Sequence, residues 1–372
     1  MKIAIDALGI HYFGGGRSAT LNLLEALFAL DPVNQYTVLL TQPEPSLVTS
    51  AKNVRQWIAP FKQRFLLRLW AQAVLPFALR TYDLVHYMKN LGVFFTPAKT
   101  IVTVFDMTTL RYPELFPRTD VWYWKYVEKH TLRQADRVIA ISQDGAKDIE
   151  HFYQIPQGKI SVIYPAHATH FQPASAVAQK RVREKYHLPD PYILHVGRID
   201  RKKNLPLLLE AFALFRQENL AFAGKLVFVG EEYRKSRDTR LPILIEQLAL
   251  RAHVMFTGPV SDSDLPAIYS AATVSVFCSL HEGFGIVALE ALACGAPLIV
   301  TPAGAVEEVV QDAAIVVNPP APAGLAVEIA RVVTTPGLRE ELIRKGLARA
   351  QSFSYAKAAS HTLKLYEEVI QC

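Results

Sequence analysis

Short runs of β-branched and other apolar residues alternate along this chain with longer segments whose apolar positions recur at helical spacing. This alternation is typical of an α/β protein whose parallel sheets are built from βαβ units. The first half predicts six strands, at residues 2–7, 36–40, 84–87, 100–105, 137–141 and 160–164. The second half predicts six more, at residues 192–196, 225–229, 253–257, 273–278, 297–300 and 314–317. Two doubly wound sheets in tandem are therefore expected.

The regular alternation lapses between the two sets of strands. Residues 171–191 contain Pro, Ala and Ser, then a short charged helical run and two further prolines, a composition typical of an interdomain connector. We therefore predict one domain at 1–170, a linker at 171–191 and a second domain at 192–350. The terminal segment 351–372 has large apolar residues at helical spacing, so it must pack on another element.

The composition excludes several classes of protein. With 51% hydrophobic and 20% charged residues among 372, the chain is neither disordered nor collagen-like and can form two cores. No apolar run reaches the roughly 18–20 residues that a membrane span needs, and the first residues do not resemble a signal peptide. The three cysteines lack the spacing of a disulfide framework or a zinc site. A reduced, cytoplasmic protein of enzyme size is expected.

Part of the formal net charge of +6 comes from residues 45–82, which contain no acidic residue. Aromatic residues are interleaved there with six bases: Lys52, Arg55, Lys62, Arg64, Arg68 and Arg80. This mixture indicates peripheral contact between residues 52–80 and an anionic membrane or a phosphorylated partner. The alternative is a pair of core-packing helices with a solvated basic face. Because the charge excess is small and no nucleic-acid-binding motif is present, no nucleic acid is expected as a partner.

A glycine-containing loop at residues 281–285 follows a predicted strand and opens a helix. An anion at the helix N-terminus would meet main-chain N–H groups, those of Phe284, Gly285 and Ile286. Glu290 lies in the otherwise apolar helix, where a buried carboxylate needs donors such as the vicinal hydroxyls of a sugar. The alternative is an N-terminal cap and one partly exposed glutamate.

A basic turn at residues 197–204 follows another predicted strand. Arg198 offers a planar fork for two phosphate oxygens and Lys203 a point charge. Asn204 is expected to cap the helix that begins at Leu205. A basic turn alone is also compatible with a purely structural role. The 281–285 loop favours a ligand-binding role for this turn, because both follow strands and open parallel sheets bind ligands beyond the carboxyl ends of their strands.

Three glycines after the first strand, Gly14, Gly15 and Gly16, are expected to form a loop. They fit neither the Walker pattern nor the G-x-G-x-x-G spacing, which argues against a P-loop NTPase and against a dehydrogenase. We favour close approach of this main chain to a diphosphate or an acceptor over a plain turn.

Four runs, at residues 197–204, 256–262, 282–290 and 302–308, together resemble the retaining nucleotide-sugar glycosyltransferases of family four. The resemblance covers nearly the whole chain. It implies a GT-B fold, in which two Rossmann-like domains face each other across a cleft and a C-terminal helix crosses back to the first. The first domain would bind a glycan or lipid-linked acceptor and the second the nucleotide sugar. Mannosyl transfer in surface-polysaccharide assembly would be typical.

The resemblance also implies roles for individual residues. Arg198 and Lys203 would neutralise the donor diphosphate, so no metal cofactor is expected, because two fixed cations can stabilise the leaving group. Glu282 would be the third catalytic residue, at the transferred sugar, and Glu290 would bind the ribose hydroxyls. Further donor contacts would come from Gly15, Gly16, Val260, Phe284, Gly285 and Ile286.

The sequence departs from the family's pattern after the fourth predicted strand. Many relatives have His-Asp there, whereas this chain has Phe105-Asp106. Asp106 is expected on the acceptor side, but no role of the histidine can be transferred. His11, His86 and His130 are better explained as structural residues than as its replacement. The alternatives to a transferase are a sugar-nucleotide epimerase and a non-catalytic sugar-nucleotide-binding protein of the same fold.

Overall fold

The computed structural model describes residues 1–10, 14–49, 52–88, 93–232 and 238–371. The chain divides into two compact units. The first unit comprises Met1–Ala166 and Phe353–Cys372, and the second comprises His167–Ser352. Each unit contains one parallel sheet.

The first unit has a seven-stranded sheet in the order β3-β2-β1-β4-β5-β6-β7. Its strands are β1 (Lys2–Asp6), β2 (Gln35–Leu40), β3 (Val54–Ile58), β4 (Leu84–Tyr87), β5 (Lys99–Val104), β6 (Arg137–Ala140) and β7 (Ile160–Val162). Its helices are α1 (Gly14–Leu30), α2 (Pro45–Thr49), α3 (Arg64–Ala78), α4 (Thr108–Arg111), α5 (Arg118–Trp122), α6 (Lys129–Gln134), α7 (Gln143–Tyr153) and α16 (Tyr355–Gln371). The central strands β1, β4 and β5 are buried along most of their length, because helices cover both faces of a parallel sheet.

The second unit has a six-stranded sheet in the order β10-β9-β8-β11-β12-β13. Its strands are β8 (Tyr192–Val196), β9 (Lys225–Val229), β10 (Val254–Gly258), β11 (Val274–Phe277), β12 (Leu298–Val300) and β13 (Ile315–Val316). Its helices are α8 (Ala176–Tyr186), α9 (Leu205–Glu218), α10 (Arg240–Gln247), α11 (Leu265–Ala271), α12 (Ile286–Ala293), α13 (Val306–Val310), α14 (Pro322–Thr334) and α15 (Leu338–Ala350).

The two sheets share one topology. In each, the chain builds three strands outward to one side, then returns to the middle and continues outward on the other. The reversal falls between β1 and β4 in the first unit and between β8 and β11 in the second. Such a switch point opens a crevice at the carboxyl ends of the two middle strands. The predicted pair of doubly wound sheets is thereby confirmed.

All twelve predicted strands are present, but the structure adds β3, which the sequence pattern missed. Residues 54–58 have two consecutive polar positions, Arg55 and Gln56, and lie at the sheet edge, where Val54 alone of the five is buried. Residues 45–82 therefore form a helix, a strand and a helix rather than a pair of core-packing helices. None of the described helices is long and apolar enough to cross a bilayer.

The three N-terminal glycines do not form the expected loop, because Gly14, Gly15 and Gly16 make the first turn of α1. Glycine is a poor helix former. However, the residues that follow at helical spacing bury against the sheet and fix the helix: Leu21, Leu24, Leu27 and Phe28.

The terminal helix α16 packs on α1 and completes the core of the first unit. The Tyr366 hydroxyl lies 2.6 Å from Nδ1 of the buried His86, whose Nε2 lies 2.7 Å from Thr103 Oγ1. Burial lowers the pKa of His86 to about 3, so this imidazole is neutral. His86 is thus a structural residue, as expected, while His11 lies outside the described residues.

Candidate functional site

Two loops meet at the switch point of the second unit, one after β8 and one after β11. The main-chain N–H of Leu280 donates to the carbonyl of Lys202 at 2.8 Å. The thiol of Cys278 lies 3.4 Å from the carbonyl of Lys203. Residues that are about 80 positions apart in the sequence are thereby held as one rigid group, since neighbouring parallel strands end at the same sheet edge.

A buried ion pair joins the two loops. Lys203 Nζ donates to Glu282 Oε1 at 2.7 Å, and Lys202 Nζ lies 3.8 Å from Glu282 Oε2. Lys203 Nζ also lies 5.1 Å from the centre of the Phe277 ring, within range of a cation–π contact. Lys203 and Glu282 belong to separate motifs in the sequence, and the structure brings them into direct contact.

The electrostatic balance of this pair keeps Glu282 ionised. Burial raises the pKa of its carboxyl, but the charges of Lys202 and Lys203 and the hydrogen bond from Lys203 outweigh burial and lower it to about 2. Two cations around one carboxylate leave a net positive charge at the carboxyl end of the sheet. A site with this charge favours an anionic ligand.

Arg198 belongs to the same loop but is more exposed than Lys203. Its Nη2 lies 3.4 Å from Oδ2 of the buried Asp200, and 48% of its side chain is exposed. The exposed part leaves the guanidinium accessible to a ligand, and its planar fork suits phosphate oxygens.

Two glycines beside the cations have neighbours that an added side chain would meet. A Cβ on Gly230 would lie 2.0 Å from the Gly197 carbonyl oxygen, so the turns after β8 and β9 touch main chain to main chain. Gly197 has a φ of +150°, and a Cβ there would lie 3.3 Å from Lys203 Cε. A larger residue at Gly197 would therefore crowd the Lys203 side chain and strain the backbone.

Helix α12 begins beside Glu282. Gly285 precedes its first turn with a φ of +93°, which L side chains rarely adopt. The first N–H groups of a helix have no intrahelical acceptor, so those of Ile286 and its neighbours are suited to an anion. Gly304 holds this loop from the other side, since a Cβ there would lie 2.5 Å from the Glu282 carbonyl oxygen.

Glu290, on α12, has the opposite charge state to Glu282. Burial and the nearby Asp262 raise the pKa of its carboxyl to about 8, against the lowering effect of a 3.4 Å hydrogen bond from Tyr269. The side chain is therefore mostly protonated at neutral pH. A ligand that offers hydroxyl donors would stabilise its ionised form.

Val260 follows β10 and is partly buried within the second unit. Phe284 is buried at the start of α12.

Three site residues predicted from the sequence lie in the first unit. Asp106 accepts the N–H of Thr108 at 3.0 Å and shapes the turn into α4. Phe105 packs on the core cluster shared by α16 and the sheet, so this position is apolar and structural. Gly16 faces open space, because a Cβ there would meet no atom within 4 Å. Gly15 lies beside it in α1.

Other site residues were missed by the sequence analysis. Lys202 contributes to the low pKa of Glu282, and Tyr269 donates to Glu290. The run of bases Arg201-Lys202-Lys203 could have indicated Lys202 as a site residue, but no feature of the sequence pattern indicated Tyr269. Asn204 does stand at the N-cap of α9, although it has a left-handed backbone with a φ of +51° and its side chain makes no capping hydrogen bond.

Two family models match the chain, one in each half. "Glycosyltransferase Family 4" matches residues 13–171, and "Glycosyl transferases group 1" matches residues 178–349. The chain belongs to the family 4 (group 1) glycosyltransferases. The protein is therefore a glycosyltransferase, and the predicted resemblance to this family is confirmed.

Two relatives illustrate the range of this family. The glycosyltransferase is 28% identical over 292 residues to "O-antigen chain mannosyltransferase B" of Escherichia coli, covering 78% of this chain and 76% of that protein. It is 31% identical over 255 residues to "D-inositol 3-phosphate glycosyltransferase" of Salinispora arenicola, covering 65% and 57%. The chain therefore spans three quarters of the first relative but only just over half of the second.

Solved structures show the same fold. The glycosyltransferase matches the crystal structure of Anabaena Alr3699/HepE in complex with UDP and glucose with a TM-score of 0.79 and 18% identity, covering 99% of this chain and all of the other. The GT-B fold class predicted from the sequence is confirmed.

Proposed function

We propose that this glycosyltransferase transfers a hexose from a nucleotide-diphosphate sugar to a glycan or lipid-linked acceptor. The transfer would retain the anomeric configuration and need no metal ion. The observation that carries the proposal is the Lys203–Glu282 pair, which lies beside Arg198 at the switch point of the second unit. It combines fixed cations for a diphosphate with a carboxylate for a sugar.

The cations act on the leaving group. The diphosphate of the donor would contact Lys203, which would stay paired with Glu282. The half-exposed side chain of Arg198 would turn toward the same diphosphate. The main-chain N–H groups of Phe284, Gly285 and Ile286 would add donors that need no rearrangement. Preorganised charge of this kind stabilises the diphosphate as its bond to the sugar breaks, as a divalent metal would elsewhere.

Glu282 cannot serve as a general acid near neutral pH, because its pKa is about 2. Its carboxylate would instead accept hydrogen bonds from sugar hydroxyls and stabilise positive charge at the reacting carbon. The acceptor oxygen would bond to the anomeric carbon on the face from which the phosphate oxygen departs. The acceptor proton would pass to that phosphate oxygen, which balances the step.

Glu290 would hold the nucleoside. Two ribose hydroxyls could donate to its carboxylate. These hydrogen bonds would stabilise the ionised carboxyl in the complex, whereas burial destabilises it in the free protein. Val260 would contact the base through its main chain. Gly15 and Gly16 at the N-terminus of α1 would approach the donor, and Asp106 the acceptor.

Mannose is the hexose we favour, because the chain is similar to a protein named as an O-antigen chain mannosyltransferase. That similarity also favours a role in surface-polysaccharide assembly. The free, buried thiols of Cys278 and Cys294 are compatible with action in the reducing cytoplasm.

A donor screen tests the proposal. Thermal unfolding would be measured with UDP-, GDP-, ADP- and dTDP-sugars, because a ligand of the native state raises stability. We expect one nucleotide class to stabilise the protein and to support transfer in the presence of EDTA, with a product of retained configuration by NMR. An inverted product, or activity that EDTA abolishes and Mg²⁺ restores, would contradict the proposed mechanism.

A further inference from the structure

A row of aromatic rings crosses the second sheet near the carboxyl ends of its strands. His195 of β8 lies opposite Phe228 of β9 in the sheet register, with ring centres 5.8 Å apart. On its other side, the imidazole is nearly parallel to the Phe277 ring of β11, with 14° between the planes and 6.4 Å between the centres. His195 is fully buried. Its ring is therefore held between two phenyl rings.

The two ring nitrogens of His195 have different surroundings. Nδ1 lies 3.0 Å from the carbonyl oxygen of Val276. A carbonyl oxygen can only accept, so Nδ1 carries the proton and Nε2 presents a bare lone pair. Nε2 is buried, and no group in the part of the chain that the structure describes donates a hydrogen bond to it. A buried acceptor without a donor is costly, so this nitrogen calls for a donor that moves to it.

The ammonium of Lys203 lies on the same side of Gly197 as this lone pair. A Cβ on Gly197 would lie 3.6 Å from His195 Nε2 and 3.7 Å from Lys203 Nζ. Both atoms thus border the space that the glycine leaves open. A lysine side chain is a flexible stem whose three N–H donors rotate, so the ammonium can turn toward the imidazole.

We propose that His195 is a positioning residue that holds the Lys203 ammonium on the donor's diphosphate. An ammonium has three N–H donors and no acceptor. Glu282 Oε1 accepts the first of them. The diphosphate would accept the second, and His195 Nε2 the third. The inference rests on the proposed function, because it needs the diphosphate at Lys203.

A neutral acceptor suits this place better than a second carboxylate. Glu282 already offsets part of the charge of Lys203, and another anion would offset what is left for the diphosphate. Burial and the charge of Lys203 lower the pKa of His195 to about 4, against the raising effects of the Val276 carbonyl and Glu282. The imidazole is therefore neutral at pH 7, and it orients the ammonium without weakening the attraction between Lys203 and phosphate.

Two amide substitutions separate the roles of the two ring nitrogens. His195→Asn can keep a donor for Val276 but has no acceptor at the Nε2 position, whereas His195→Gln reaches that position and gives up the tie to Val276. We expect His195→Asn to lower kcat and the affinity for a nucleoside diphosphate by about tenfold or more, the usual scale for a hydrogen bond to a charged group. His195→Gln should stay within about threefold of the unchanged protein, because its carboxamide oxygen replaces the acceptor.

Calorimetry on the full chain measures the affinity for UDP, GDP, ADP and dTDP, with the matching nucleosides as the comparison. Affinity for the nucleoside should not change in His195→Asn, because the imidazole acts through Lys203 on the diphosphate. His253→Asn, the same substitution just before β10 at the opposite end of the sheet, should leave both affinities unchanged. Thermal unfolding of each variant separates a loss of affinity from a loss of fold.

A double-mutant cycle with Lys203→Met decides whether His195 acts through the lysine. Once the ammonium is gone, His195→Asn should cause no further loss of diphosphate affinity beyond about twofold. Additive losses, an unchanged affinity in His195→Asn, or a His195→Gln variant as weak as His195→Asn would overturn the inference and leave the proposed function standing. Unchanged diphosphate affinity in Lys203→Met, or no binding of any of the four nucleotides, would contradict the proposed function and the inference together.

Discussion

The switch points of the two units share a topology but differ in charge. In the first unit, β1 ends at Asp6, and burial raises the pKa of this carboxyl to about 7 in spite of a hydrogen bond from the Leu8 N–H. The neighbouring β4 carries the neutral His86. In the second unit, the loops after β8 and β11 carry Lys203 and the ionised Glu282.

The difference shows what keeps a charge inside a parallel sheet protein. Removing an ion from water is costly, and the cost is offset only when an opposite charge lies in contact. Asp6 has no such partner among the described residues, so its proton is retained to near pH 7. Glu282 has two lysines and stays ionised. The same sheet order therefore carries a mostly neutral carboxyl at one switch point and a charged ion pair at the other.

The largest effect is expected from removing the cations of the second unit. Lys203→Ala and Arg198→Ala should each lower turnover by roughly 10²–10³-fold, the usual scale for losing one preorganised donor to a developing charge. Lys203→Ala should also destabilise the fold, by about 3 kcal/mol, because it leaves Glu282 buried with a more distant partner. Steady-state kinetics and chemical denaturation would measure the two effects.

Lys99→Ala in the first unit is the matched control. Lys99 Nζ lies 3.3 Å from Asp136 in a partly exposed pair, so turnover should be kept and stability should fall by less than about 1 kcal/mol. Equal losses of turnover in all three variants would contradict the contrast between the units.

Matched amide substitutions should change stability with opposite signs. Ionised Glu282 stabilises the fold above about pH 4.5, and this contribution is lost as the pH falls through about 2. Glu282→Gln should therefore lose on the order of 3 kcal/mol at pH 7, with a smaller loss in acid. For Asp6 the folded pKa is raised, so its stabilising contribution is present in acid and lost as the pH rises through about 7.

Asp6→Asn should accordingly be more stable than the unchanged protein at pH 8.5, by on the order of 2 kcal/mol. All four tryptophans lie in the first unit, so their fluorescence reports its unfolding, while circular dichroism reports both units. Destabilisation by both substitutions at pH 8.5 would refute the assigned charge states.

The smallest effect concerns Glu290, whose pKa is raised to about 8. If ribose hydroxyls donate to its carboxylate, nucleotide binding at pH 7 should release a proton, approaching one per nucleotide. Calorimetry in two buffers of different ionisation enthalpy measures this release. Glu290→Gln should abolish it, whereas Glu246→Gln on the exposed surface of α10 should leave it unchanged. Proton uptake on binding, or equal release in Glu290→Gln, would count against the ribose role.

The strands were predictable because buried parallel strands contain consecutive apolar residues, as in Leu226–Val229 of β9 and Leu298–Val300 of β12. The edge strand β3 was missed because Arg55 and Gln56 interrupt its pattern. The three glycines at Gly14 predicted a loop, which was wrong, because the burial of the residues that follow extends α1 back to Gly14. These failures concern elements whose conformation depends on packing rather than on local sequence.

The candidate site was predicted as a set of residues but not as a network. Residues such as Arg198, Lys203 and Glu282 were chosen because bases and glycines follow predicted strands. That Lys203 binds Glu282 directly depends on the order of the strands, which no local pattern contains. For the same reason Tyr269 and Gly304 could not be assigned, since each acts across the fold.

The central claim is that Lys203, Arg198 and the first amides of α12 hold the donor's diphosphate. A crystal structure of the protein with a bound nucleoside diphosphate, grown without divalent metal, tests it most directly. The account predicts the diphosphate within hydrogen-bond distance of Lys203 Nζ and the Arg198 guanidinium, with the ribose at Glu290. A nucleotide bound elsewhere, or one bound while both side chains point into solvent, would contradict it.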